Sequence, residues 1–172
     1  CSCTEFPKNC PKIPIAQDSI TIYELRWHDF SQTLAKLLNI EHDFQKLHDY
    51  VHTFKIGDYM AHLAESFPVY LTFHYKTEHL KHVLIKLCNS RNSKPFILIT
   101  STLRKIDNDT VSLLEKAGAT FMCLSNILHR NIDGQLILNA QPDELLKDFK
   151  NRIHKEGVKA VSYTHLRAHE TR

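Results

Sequence analysis

Val69-Tyr-Leu-Thr-Phe-His74, Pro95-Phe-Ile-Leu-Ile-Thr100 and Ala119-Thr-Phe-Met-Cys-Leu124 are three short apolar runs separated by two amphipathic stretches. Leu80, Val83, Leu84 and Leu87 fall at i, i+3, i+4 and i+7 in the first of these, and Val111, Leu114 and Ala117 share a stripe in the second. Apolar runs alternating with helix-period segments predict a parallel β-α-β-α-β unit, because parallel neighbours need a crossover that covers the sheet. Pro95–Thr100 is apolar throughout, as expected of a central strand buried on both faces. Asp107 or Asn108 is the expected cap of the second helix and Gly118 its stop.

Upstream, Ser19–Leu25 alternates with period two and reads as a strand. Helical spacing follows in Ser31–Leu38, with Ser31 as N-cap, in Glu41–His52 (Phe44, Leu47, Tyr50, Val51) and in Asp58–Ser66 (Tyr59, Met60, Leu63). Residues 19–66 are therefore expected to be a strand plus a helical cap, and 67–157 an α/β core. Downstream, Gln135–Asn139 after the Asp133-Gly134 turn signal reads as a fourth strand, and Pro142–His154 as a last helix. The expected fold class is α/β, a three- to four-stranded mostly parallel sheet with flanking helices, preceded by a short helical cap.

The chain has 172 residues and 42% apolar residues, enough for one ordinary domain with a core. Its 22 basic and 19 acidic side chains are too balanced to argue for nucleic acid or an anionic membrane. Four glycines are too few for a phosphate loop built on several of them. No run reaches the roughly 20 apolar residues that span a bilayer, and no signal-like segment stands out, so a cytoplasmic location without membrane contact is expected. Twelve histidines make the net charge sensitive to pH.

Residues 1–18 carry Cys1, Cys3 and Cys10 among three prolines and read as a tether. Those three thiols are the candidate ligands of a structural zinc, which prefers four N/S donors. In an open parallel sheet ligands bind beyond the carboxyl ends of the strands. Here those ends place His74, Thr100, Ser101, Arg104, Ser125 and Asn126, short donors with a cation that suit a phosphate or carboxylate. Asp58–Ser66, the third in a row of short helices, invites a helix-turn-helix reading, but it carries Asp58 and Glu65 and no residue suited to base edges.

Two resemblances follow from these residues. The passage Pro95-Phe-Ile-Leu-Ile-Thr-Ser101 through Ala117-Gly-Ala119 resembles the fourth strand, fourth helix and fifth strand of a response-regulator receiver domain, which would put Thr100 or Ser101 at the hydroxyl switch position. Val69–His74 ends without the phospho-accepting Asp, and Ser125-Asn126 stand where Lys-Pro would, which argues against phosphotransfer. Val161–Thr171 resembles the peptide translated in frame from a transposon-type sequencing adapter, so 161–172 is expected to be a non-native tail on a protein cut near Lys159. The expected function is a non-catalytic regulatory or interaction module of a larger protein, with a protein or domain partner and with nucleic acid only through a downstream domain. The alternatives are a small α/β enzyme or nucleotide- or phosphate-binding domain, and part of a DNA-binding regulator.

Overall fold

Ile97-Leu-Ile-Thr100 is buried at every position, and the sheet is built outward from it. The computed structural model describes residues 24–61, 65–74, 76–90, 94–101 and 107–154. Five strands lie side by side in chain order: β1 (Glu41–Lys46), β2 (Thr53–Met60), β3 (Ser66–Thr72), β4 (Ile97–Thr100) and β5 (Thr120–Cys123). β1–β2 and β2–β3 pair antiparallel, whereas β3–β4 and β4–β5 pair parallel. The two parallel steps are bridged by α2 (Thr77–Ser90) and α3 (Asn108–Lys116), as the spacing of the apolar runs requires.

Period two sorts the strands' side chains to opposite faces. Val69, Leu71, Ile97, Ile99 and Met122 pack with Leu34, Ala35 and Leu38 of α1 (Trp27–Leu38) and with Leu146 and Phe149. Tyr70, Leu98 and Phe121 pack on the other face with Leu80, Val83, Leu84 and Leu87 of α2 and with Leu114 and Ala117. Helices therefore cover both faces. α1 stops at Asn39, whose left-handed backbone (φ 53°) lets its own amide donate to the Lys36 carbonyl and the Ile40 amide to the Ala35 carbonyl. Asp107 caps α3, accepting from the Thr110 amide at 2.9 Å, and Lys81 of α2 reaches its carboxylate at 2.7 Å. The Lys81 bond, with those from Thr110, holds the Asp107 carboxyl well below the usual range.

After β5 come α4 (Leu124–Ile127), a hairpin of β6 (Leu128–Arg130) and β7 (Leu136–Leu138), α5 (Pro142–Leu145) and α6 (147–154). Arg152 of α6 donates to the Ala119 carbonyl at 2.8 Å, pinning α6 beside the start of β5. No helix among the described residues is long and apolar enough to cross a membrane.

The mostly parallel sheet and the helical cap are corrected. Glu41–His52 and Asp58–Ser66 are not helices: 41–46 and 53–60 form an antiparallel hairpin that extends the sheet. Phe44 packs on the α1 face while Leu47 and Tyr50 pack on the α2 face, a division no single helix stripe produces. Irregular registers between His42 and Gln45 and between Lys55 and Gly57 break the two-residue alternation, leaving apolar spacings that mimic a helix. The helix-turn-helix reading fails with them, since Asp58–Met60 is strand.

Other boundaries shift too. Helix α1 begins at Trp27, so Ser31 is not its cap but lies inside it, with its hydroxyl donating to the His28 carbonyl at 2.7 Å. Gln135–Asn139 contributes β7 to a separate hairpin and adds no strand to the main sheet. The last helix is interrupted at Leu146, where the backbone turns. Residues 19–23 of the upstream strand, the tether with Cys1, Cys3 and Cys10, and the tail 161–172 lie outside the described residues.

Candidate functional site

Thr72, Thr100 and Cys123 are level with one another across β3, β4 and β5, so the three parallel strands finish on one line. In parallel strands level residues face the same side, here that of α2 and α3. Thr72 and Thr100 are both buried. The antiparallel β2 begins at this same end, which brings Thr53 opposite Thr72 with their hydroxyls 2.8 Å apart.

Two polar groups follow from this arrangement. At the β5 end, the Cys123 thiol donates to the Ser101 carbonyl at 3.5 Å and its sulfur lies 3.0 Å from the Ser125 hydroxyl. Ser125 in turn donates to the Asn126 side-chain oxygen at 3.3 Å, and the Asn126 carbonyl accepts from the Asn139 amide at 2.7 Å. Ser101, Ser125 and Asn126 are therefore gathered by the topology, joined through Cys123, which the sequence shows only as part of the apolar run Ala119–Leu124. Its place just before α4, level with Thr100, is the signal that was open to reading.

At the β3 end stands His74. Its Nε2 is buried and has no hydrogen-bond partner among the described residues. The His79 ring is 6.3 Å away, nearly perpendicular. Burial first, then the neighbouring His79 and His52 imidazoles, pull the His74 pKa below the ordinary histidine value. His52 closes the β1–β2 turn in a left-handed conformation (φ 50°), and its carbonyl accepts from the Phe73 amide at 3.0 Å. Arg104, the expected cation of the site, lies outside the described residues.

A third constellation was not legible beforehand. Lys55 on β2 lies 2.6 Å from both Asp43 of β1 and Asp58 of β2. Burial favours the neutral amine of Lys55, but the bonds to Asp43 and Asp58 outweigh it and raise the pKa, while the same lysine and Gln45 lower that of Asp43. Reading 41–52 and 58–66 as two helices, with Lys55 between them, hid this contact across the hairpin. Among the described residues no cluster of three or more His, Cys, Asp or Glu side chains is placed to hold a metal ion.

The β6–β7 hairpin stands apart from the main sheet. Leu128 and Leu138 at its base pack against the core. Its turn is closed by Asn131 N–H to Gln135 O (2.9 Å), Gly134 N–H to Asn131 O (3.0 Å) and Gln135 N–H to the Asn131 side-chain oxygen (2.8 Å). Arg130 Nε adds a bond to Gly134 O at 2.9 Å, and Gly134 takes the left-handed conformation (φ 81°) the turn needs. On this fixed turn Ile132 is fully exposed. No protein-family model, curated protein or solved structure matches the chain.

Proposed function

We propose that the chain is a non-catalytic interaction module that engages a protein partner through the tip of the β6–β7 hairpin. The observation that carries this reading is Ile132, a fully solvated branched apolar side chain held on a turn whose backbone is already bonded. Burying such a side chain is favourable by about 1.5–3 kcal/mol, and a pre-ordered turn loses little conformational freedom on binding. The polar Asn131 and Asp133 flank it in the chain.

A photo-crosslinking amino acid at position 132 tests the reading in cells expressing the full chain. A discrete protein adduct is expected there and none from the same label at the exposed Ser112. Absence of an adduct at 132, or identical adducts at both positions, would sink it. A second reading, a phosphate- or nucleotide-binding domain, is favoured by the gathering of Ser101, Ser125 and Asn126 at the strand ends. It requires inorganic phosphate or ATP at millimolar concentration to raise the melting temperature, where the interaction module shows no shift.

A further inference from the structure

His74 occupies a place that suits only its neutral form. The buried Nε2 meets no acceptor among the described residues, the His79 ring of α2 is 6.3 Å away, and His52 of the β1–β2 turn also acts against a charge on the ring. Titratable groups elsewhere on those two elements are His48, Asp49 and Tyr50 of the turn and Glu78, Lys81, His82, Lys86 and Cys88 of α2, with Lys76 just before the helix. Of all these, His79 and His52 are the ones that act on His74. Its own strand end brings Thr72 and Phe73, and the adjoining end of β4 brings Thr100 and Ser101, none of them ionisable.

The turn meets the end of β3 through Phe73 N–H and, at 3.5 Å, the Thr72 hydroxyl, both to the His52 carbonyl, and through the Thr53–Thr72 hydroxyl pair; Thr53 N–H to the Tyr50 carbonyl at 3.3 Å closes the turn itself, and Tyr50 to Ser90 and Lys86 to the Asp49 carbonyl tie it to α2. We propose that His52, His74 and His79 form an acid-sensitive latch that releases the β1–β2 turn from the end of β3 when His74 takes a proton. The charged ring would carry a buried Nε2–H with no acceptor among the described residues, and moving it toward water would pull on the preceding Phe73 and its bond to the His52 carbonyl.

The direction follows from linkage. A histidine whose folded pKa lies below its unfolded value of about 6.5 leaves stability intact above that pH, and stability is lost as pH falls from there through the folded value. Amide hydrogen exchange on the full chain at pH 7.5 and 5.5, corrected for intrinsic rates, reads the opening directly. Protection at Phe73 and Thr53 should fall about tenfold relative to Leu98, the equivalent of one pKa unit. His74→Leu should abolish that fall. Unchanged protection in the native chain, or a fall that persists in His74→Leu, would overturn the latch. Should the variant not fold, the His74 ring resonance decides: titration below 6.5, moving up in His79→Gln, supports the proposal, and titration at or above 6.5 refutes it.

Discussion

Lys55 is 17% exposed at the side chain and is shared by two carboxylates, so its removal leaves Asp43 and Asp58 facing each other without a cation. Lys55→Met keeps the length of the stem and should cost about 1–2 kcal/mol in urea unfolding, between the ranges for exposed and buried pairs. Part of that loss should survive 0.5 M salt, because a half-buried pair is screened less than an exposed one. Because Asp43 is held below its usual carboxyl value, its contribution is present at neutral pH and fades as acid brings the carboxylate to protonation. At this scale legibility followed burial. The residues of Ile97–Thr100 could be read because a strand covered on both faces leaves an unbroken apolar run. His74 could be placed at a strand end from sequence, but His52 and His79 could not be joined to it, since they come from a turn and a helix on either side.

Elements joined by crossovers were readable, and the bulged hairpin was not. α2 and α3 carry unbroken helical stripes, and Asp107 and Gly118 mark the ends of α3 much as expected. β1 and β2 lose their alternation at two irregular steps, and the second sits at Gly57. A Cβ on Gly57 would lie 2.1 Å from the Glu41 carbonyl oxygen, a backbone atom with nowhere to go. Gly57→Ala should therefore cost about 2–4 kcal/mol in the urea midpoint and loosen β1 from β2, visible as faster amide exchange along 41–46. The bulge has a compensating use. It twists an edge strand whose sequence, Glu-His-Asp-Phe-Gln-Lys, is mostly charged or polar, and such an edge discourages pairing with a second molecule.

On the scale of the molecule, one sheet divides the buried apolar residues, among those described, into two separate clusters. Leu84→Ala under α2 should cost about 2–5 kcal/mol and Phe149→Ala under the opposite face about 3–5 kcal/mol. The double variant should show the sum within about 0.5 kcal/mol and keep a single unfolding transition, since the sheet is common to both layers. A pair of separate transitions would mean that the faces melt independently. The α/β class was visible in the sequence because it rests on the β3–β5 half, whereas the mixed sheet rests on the hairpin that the pattern concealed. The order of the strands in space repeats their order along the chain. Each strand after the first is thus made after the neighbour it pairs with, and none has to be threaded between two earlier ones. Leu146 and Phe149, which follow all five of these strands in the chain, pack on the α1 side of the sheet.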